Sequence, residues 1–259
     1  MNRISEAFAA AKADNRAAFI PYLTAGFPQE ATFVETALDL LKVADVLEVG
    51  LPYSDPLGDG PTIQQASETV LAAGMTTQKT FELIAELRTK TDKPLVLMTY
   101  YNPIYCYTEG EAGFLRDLKR AGADGVILPD LPPDEADSLL PAARDTDLDT
   151  IFLVAPTSTD ERLKTVTEAC RGFIYAVSVT GVTGARNQLP ADVPALVERT
   201  KAHSDLPVAV GFGVSGKDTA RPVAAAADGV VVGSALIRTL AEGGDANALA
   251  KEIAEACQR

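Results

Sequence analysis

Histidine is almost missing from this sequence: the 259 residues include one, His203. One imidazole argues against a His-ligated metal centre and against an isomerase that needs a histidine electrophile. Cysteine is scarce as well. Cys106, Cys170 and Cys257 are odd in number and widely spaced, with no CxxC pair. That excludes a disulfide framework or zinc knuckle and fits a reducing compartment. Positive charge is in deficit, with 23 Lys and Arg against 36 Asp and Glu, a net charge of −13. No Lys/Arg run is dense enough to form a basic patch, so neither nucleic acid nor an anionic membrane is expected as a partner. The acidity itself reads as solubility. No apolar run approaches the roughly 20 residues that span a bilayer. Residues 1–16 lack the apolar stretch of a secretory leader, so a cytoplasmic location is expected. Low-complexity segments and long Pro/Gly/Ser linkers are also missing, which predicts one domain over residues 1–259.

What is present is an alternation. Eight short apolar, β-branched runs read as strands: Phe19–Leu23, Asp45–Val49, Leu95–Thr99, Gly125–Leu128, Thr150–Val154, Phe173–Val177, Val208–Gly211 and Gly229–Val232. Their nearly unbroken hydrophobicity suits parallel strands buried on both faces. Amphipathic segments lie between them, with stripes such as Ala31, Val34, Leu38 and Leu41, then Phe81, Ile84 and Leu87, then Phe114, Leu115 and Leu118. Thr108 with Glu111, and Ser158 with Glu161, have capping-box spacing. Pro132 and Pro133 stand where a helix would begin. Strand–helix alternation implies right-handed βαβ units, and eight units in this length predict a (β/α)8 barrel. Ile4–Lys12 forms an extra N-terminal helix in this reading, and Ala248–Cys257 closes the other end. An open doubly wound sheet is disfavoured, because the first strand runs into Thr24-Ala25-Gly26-Phe27-Pro28 rather than GxGxxG.

Barrel chemistry sits at the C-terminal ends of the strands. On the second strand, period-2 alternation puts Val46 and Glu48 on one face. If that face is the interior, Glu48 is a carboxylate in apolar surroundings, with a pKa raised toward general acid/base work. A glutamate that only hydrogen-bonds within the core is an equally good reading of Glu48 alone. The following loop, residues 51–61, is rich in Pro and Gly and carries Asp55 and Asp59. Either acid is in position to share the cavity, and either is in position to serve only as a turn residue. Glycine-bearing turns follow the sixth, seventh and eighth strands: Thr180–Gly184, Gly211–Val214 and Gly233–Ala235. The last opens a short extra helix, Ala235–Leu240. Loops of this kind bind phosphate through backbone N–H groups and a helix N-terminus, with no need of a basic patch. Neither Lys93 nor Lys217 falls where a Schiff-base lysine would have to be. Tyr22, Tyr100 and Tyr175, near strand ends, can cradle a planar ring.

The run from Glu48-Val49-Gly50-Leu51-Pro52-Tyr53-Ser54-Asp55-Pro56 through Leu57-Gly58-Asp59-Gly60-Pro61-Thr62-Ile63-Gln64 closely resembles the signature of the tryptophan synthase alpha chain family. Phe19–Gly26, Gly181–Ala185 and Gly211–Gly213 resemble that family too. The resemblance implies retro-aldol cleavage of indole-3-glycerol phosphate to indole and glyceraldehyde 3-phosphate. It implies Glu48 as general acid/base with Asp59 as its partner. Gly184, Gly213, Gly233 and Ser234 would hold the phosphate. Tyr22, Tyr100, Ile127, Tyr175, Thr183 and Phe212 would line the indole pocket or the mobile loop. It also implies a beta-chain partner in an alpha2-beta2 heterotetramer, faced by Pro52, Asp55 and Pro56. Pyridoxal phosphate would belong to that partner, and this chain would need no cofactor or metal. A stand-alone lyase and an idle, activating subunit are the alternatives. Val179, Tyr22 and Gly58 depart from residues common in the family.

Overall fold

A computed structural model describes residues 2–177, 192–211 and 213–259. Helix α1 (Arg3–Ala13) leads into nine strands: β1 (Ala18–Thr24), β2 (Leu47–Gly50), β3 (Leu95–Met98), β4 (Gly125–Ile127), β5 (Asp149–Ile151), β6 (Leu153–Val154), β7 (Ile174–Val177), β8 (Val208–Gly211) and β9 (Gly229–Val232). All pairings between them are parallel, in the order β5-β4-β3-β2-β1-β9-β8-β7-β6. The two ends of that row are consecutive in the chain, separated by Phe152 alone. Phe152 therefore breaks one barrel strand into two, and the row closes into an eight-position barrel.

The helices between strands are α2 (Glu30–Leu41), α3 (Pro61–Ala72), α4 (Thr77–Arg88), α5 (Tyr101–Tyr105), α6 (Gly110–Ala121), α7 (Leu139–Asp145), α8 (Asp160–Ala169), α9 (Asp192–Lys201) and α10 (Lys217–Ala226); α11 (Ser234–Ala241) and α12 (Ala246–Ala256) follow the last strand. Among the described residues none is long and apolar enough to cross a membrane. Some local expectations shift. The buried stripe of α2 is Phe33, Val34, Ala37, Leu40 and Leu41, and Ala31 is exposed, because the large Phe33 sets the inward face. Thr159, not Ser158, caps α8 by accepting from the Arg162 N–H at 3.2 Å, while Ser158 accepts from the Ala155 N–H. No side chain caps α6, so Thr108 and Glu111 form no capping box. Pro133 opens only a 3-10 turn, Pro133–Glu135.

Alternation along each strand sorts the core into two. Ile20, Val46, Val96, Ile127, Ile151, Phe173, Tyr175, Ala209 and Val231 fill the barrel interior, and Leu23, Leu47, Val49, Leu97, Val210 and Val230 pack outward under the helices. Helix α1 closes the N-terminal end: Ile4, Phe8 and Ala11 join the interior, with the Phe8 and Phe173 rings 5.4 Å apart. That end is also tied by three aspartates preceding strands. Asp45, Asp124 and Asp228 accept the N–H groups of Phe19, Leu95 and Val208 on the neighbouring strands. Each is also ion-paired: Asp45 with Arg16, Asp124 with Arg3 and Arg88, Asp228 with Lys201. Lys93 donates to the Leu41 and Ala44 carbonyls beside them. His203 is exposed. At the other end the described residues leave a cleft.

Candidate active site

Glu48 lies on β2 in register with Tyr22 of β1 and Val96 of β3. Its side chain therefore points into the barrel interior one layer above the packed core, and only 2% of the residue is exposed. Its Oε2 is the one buried side-chain polar atom without a hydrogen-bond partner among the described residues. Burial, with Asp59 nearby, pushes its pKa up to about 8. An unpaired carboxylate would be costly there, so the group is held as the neutral acid.

Two glycines make room around it. A Cβ on Gly50 would lie 2.1 Å from the Tyr22 hydroxyl, and a Cβ on Gly211 would lie 2.2 Å from that of Tyr175. Each tyrosine ring thus leans over a bare backbone on a neighbouring strand. The Tyr22 hydroxyl shares a 3.3 Å hydrogen bond with Thr24. Burial raises the pKa of Tyr22 and Tyr175, and the adjacent carboxylates raise them further.

The loop after β2 separates its two acids. Asp55 is exposed and accepts from the Ser54 hydroxyl at 2.6 Å. Asp59 is buried and faces the interior cavity. Burial raises the Asp59 pKa to about 6, against a hydrogen bond from Tyr100 that favours the charged form. The Tyr100 hydroxyl also accepts from the Gly58 N–H at 2.9 Å, so this phenol fixes the loop on which Asp59 rides. Gln64 adds a second tie, donating to the Asp59 carbonyl at 2.9 Å. Pro52 is buried directly beyond the strand end, so the outward face of the loop is carried by Ser54, Asp55 and Leu57, with Pro56 half-buried.

A cleft joins these groups. Tyr22, Glu48, Asp59 and Tyr175 line it together with Gly213, Gly233 and Ser234, and Gly233 lies beside the Tyr22 ring. Gly213 has a φ of 82°, a conformation that favours glycine. No side chain caps the N-terminus of α11, whereas the Thr219 hydroxyl accepts from Ser215 and Gly216 at the start of α10. The open helix end facing the cleft is therefore that of α11, and it suits an anion. Tyr100 and Ile127 do not line this cleft. Tyr100 holds the loop, and Ile127 is packed in the interior. Thr183, Gly184, Phe212 and Val179 lie outside the described residues. Thr62, Met98, Ser215, Val231 and Arg238 line the cleft without having been singled out by sequence reading. The available signal was position: Thr62 follows the Pro61 that opens α3, and Arg238 stands one helical turn beyond Ser234.

Residues 8–259 match the family model described as Tryptophan synthase alpha chain. This chain belongs to the tryptophan synthase alpha chain family. It is 55% identical over 260 residues to the tryptophan synthase alpha chain of Deinococcus radiodurans, covering 100% of this chain and 96% of that relative. With that of Nocardia farcinica it shares 47% over 256 residues, covering 98% and 95%. A solved structure of Mycobacterium tuberculosis tryptophan synthase superposes with a TM-score of 0.93 at 45% identity, covering 100% of this chain and 99% of that one. The alpha chain from Legionella pneumophila gives a TM-score of 0.89 at 35% identity, covering 99% and 98%. The barrel is thus the alpha-chain TIM barrel. The activity is that of a carbon–carbon lyase, cleaving indole-3-glycerol phosphate in tryptophan biosynthesis.

Proposed function

We propose that Glu48 and Asp59 divide the cleavage of indole-3-glycerol phosphate between them. The observation that carries this reading is the buried, unpartnered Oε2 of Glu48 in the same cleft as Asp59. With pKa values near 8 and 6, Glu48 holds its proton at neutral pH while Asp59 has lost its own. Glu48 delivers its proton to the indole carbon that carries the glycerol chain, leaving the ring cationic. Asp59 accepts a hydrogen bond from the indole N–H, whose acidity rises in that cation. Glu48, now a carboxylate, takes the proton of the adjacent carbinol hydroxyl. The oxygen electrons form the aldehyde C=O as the C–C bond breaks, and that bonding pair restores the neutral indole ring. Atoms and charge balance, and Glu48 ends protonated as it began.

Tyr22 and Tyr175 flank the ring in this reading. Gly213, Gly233, Ser234 and the free end of α11, with Gly184, hold the phosphate. Thr183 and Phe212 complete the pocket. Tyr100 acts through Asp59 rather than on the ring. No lysine is found among the described residues lining the cleft, so they offer no amine for an imine. Because Glu48 both supplies and recovers the proton, we assign the cleavage no cofactor and leave pyridoxal phosphate to the beta chain. The proposed docking face for that chain is the loop bearing Asp55 and Leu57. Leu57 is 90% exposed, and Tyr105 on α5 is 68% exposed, so both side chains are available to a partner. An alpha2-beta2 assembly in the cytoplasm completes the proposal. Indole release by Glu48→Gln is expected to fall by a factor on the order of 10²–10⁴. Titration with glycerol 3-phosphate should meanwhile show an undiminished phosphate site. Near-normal turnover by Glu48→Gln, with or without a beta chain, would overturn the assignment.

A further inference from the structure

We propose that Arg238 is a specificity-determining residue of this site, capturing the substrate phosphate at the rim of the cleft and discriminating for the phosphorylated substrate. The inference rests on the phosphate site described above and extends it to a side chain. Arg238 lies four residues after Ser234, which places both on one face of α11. Both line the cleft, and Arg238 is the only cation among the described lining residues. It also borders a neighbouring groove formed by Phe27, Pro28, Gln65 and Glu242, so it stands on the ridge between cleft and solvent.

Its electrostatic setting is informative. Arg3, Arg16, Arg88, Arg116, Arg162, Arg171 and Arg199 are all ion-paired. Arg238 has no ion pair with a described residue, although the protein carries 13 more negative than positive charges. Arg144, Arg221 and Arg259 share that condition, but none of them borders the cleft. The cleft beside Arg238 holds two carboxyl groups. A phosphate dianion approaching this protein meets repulsion from the net charge and from Asp59. Backbone N–H groups act only at contact, whereas a full charge at the rim attracts from about a Debye length, roughly 10 Å at 0.1 M salt. The guanidinium fork also suits two phosphate oxygens at once. The competing role for an arginine late in a short helix is to offset the helix dipole, which predicts an effect on stability and none on phosphate.

The test uses Arg238→Gln and Arg238→Lys in the full chain. Arg238→Gln should raise KM for indole-3-glycerol phosphate and the inhibition constant of inorganic phosphate by about tenfold. It should change kcat by less than about twofold and flatten the fall of kcat/KM with added salt. Arg238→Lys should keep the salt dependence while recovering only part of the affinity. Cleavage of indole glycerol lacking the phosphate should be the same in all three proteins. KM and the phosphate constant both unchanged, or a loss confined to kcat, would overturn the proposal. If the unaltered chain released no indole, the reading of the site would fail. Calorimetric titration of the chain and Arg238→Gln with inorganic phosphate would still decide Arg238, because equal binding by both proteins overturns its role.

Discussion

Glu48 and Asp59 are chemically similar acids placed in different surroundings. Glu48 hangs from a strand inside a closed barrel, with one oxygen lacking any partner among the described residues. Asp59 sits on a loop, where the Tyr100 hydroxyl stabilises its charged form. Cleavage needs Glu48 protonated and Asp59 ionised. Activity should therefore rise as Asp59 loses its proton near pH 6 and fall as Glu48 loses its own near pH 8. A kcat/KM profile on the free enzyme should be bell-shaped with limbs near those values. Asp59→Asn should remove the acidic limb and keep the basic one, moved to lower pH because the Asp59 charge no longer raises the Glu48 pKa. A flat profile across both limbs would contradict the division of labour. Spacing and composition leave Asp55 and Asp59 equivalent, since both are aspartates in one turn-rich loop, and only the family resemblance favours Asp59 in the sequence. Burial separates them: Asp55 faces solvent, and Asp59 faces the cavity.

At the level of elements, the site is a matter of neighbouring strands accommodating one another. Gly50 on β2 and Gly211 on β8 are bare where tyrosine rings cross them. Gly50→Ala would drive a methyl group into the Tyr22 hydroxyl and displace a ring that lines the cleft. The expected cost is about 1–3 kcal/mol in urea unfolding, with a matching loss of indole formation. An unaffected protein would mean that Tyr22 has room to move. The strands themselves are legible in the sequence because parallel barrel strands are buried on both faces and read as continuous apolar runs. Boundaries are harder. Phe152 is apolar like the residues around it, so its type alone does not announce the break between β5 and β6. The α8 cap falls one residue from its predicted place because Ser158 and Thr159 are both capable caps, and Ser158 is taken by the preceding turn. Arg238 escapes sequence reading because one arginine in a short helix carries no pattern of its own. Its meaning comes from the strands that set α11 beside the cleft.

The whole molecule separates durability from chemistry along the barrel axis. The N-terminal end carries α1 and the aspartates that bind both a strand N–H and a cation; the other end carries the cleft. Asp124 ties Leu95, Arg3 and Arg88 together while itself largely buried. Asp124→Ala should cost about 3–5 kcal/mol, because it removes the carboxylate that neutralises Arg88 and accepts from the Leu95 amide, leaving Arg88 only the Gly122 and Thr91 carbonyls. At temperatures where that variant remains folded, kcat should be nearly unchanged. A large kcat loss with intact stability would contradict the separation. The interior carboxyl of Glu48 has a consequence for folding itself. In the unfolded chain a glutamate has released its proton by neutral pH, whereas the folded barrel keeps the proton on Glu48 up to about pH 8. Folding at neutral pH must therefore draw close to one proton from solvent, and the barrel loses stability as pH rises from the unfolded value of about 4.5 toward 8. Refolding heats measured in buffers of different ionisation enthalpy should differ by that proton, and Glu48→Gln should abolish the difference. The same carboxyl that donates a proton to substrate thus makes assembly of the barrel a proton-binding reaction, and makes the native state more secure in mildly acidic than in alkaline solution.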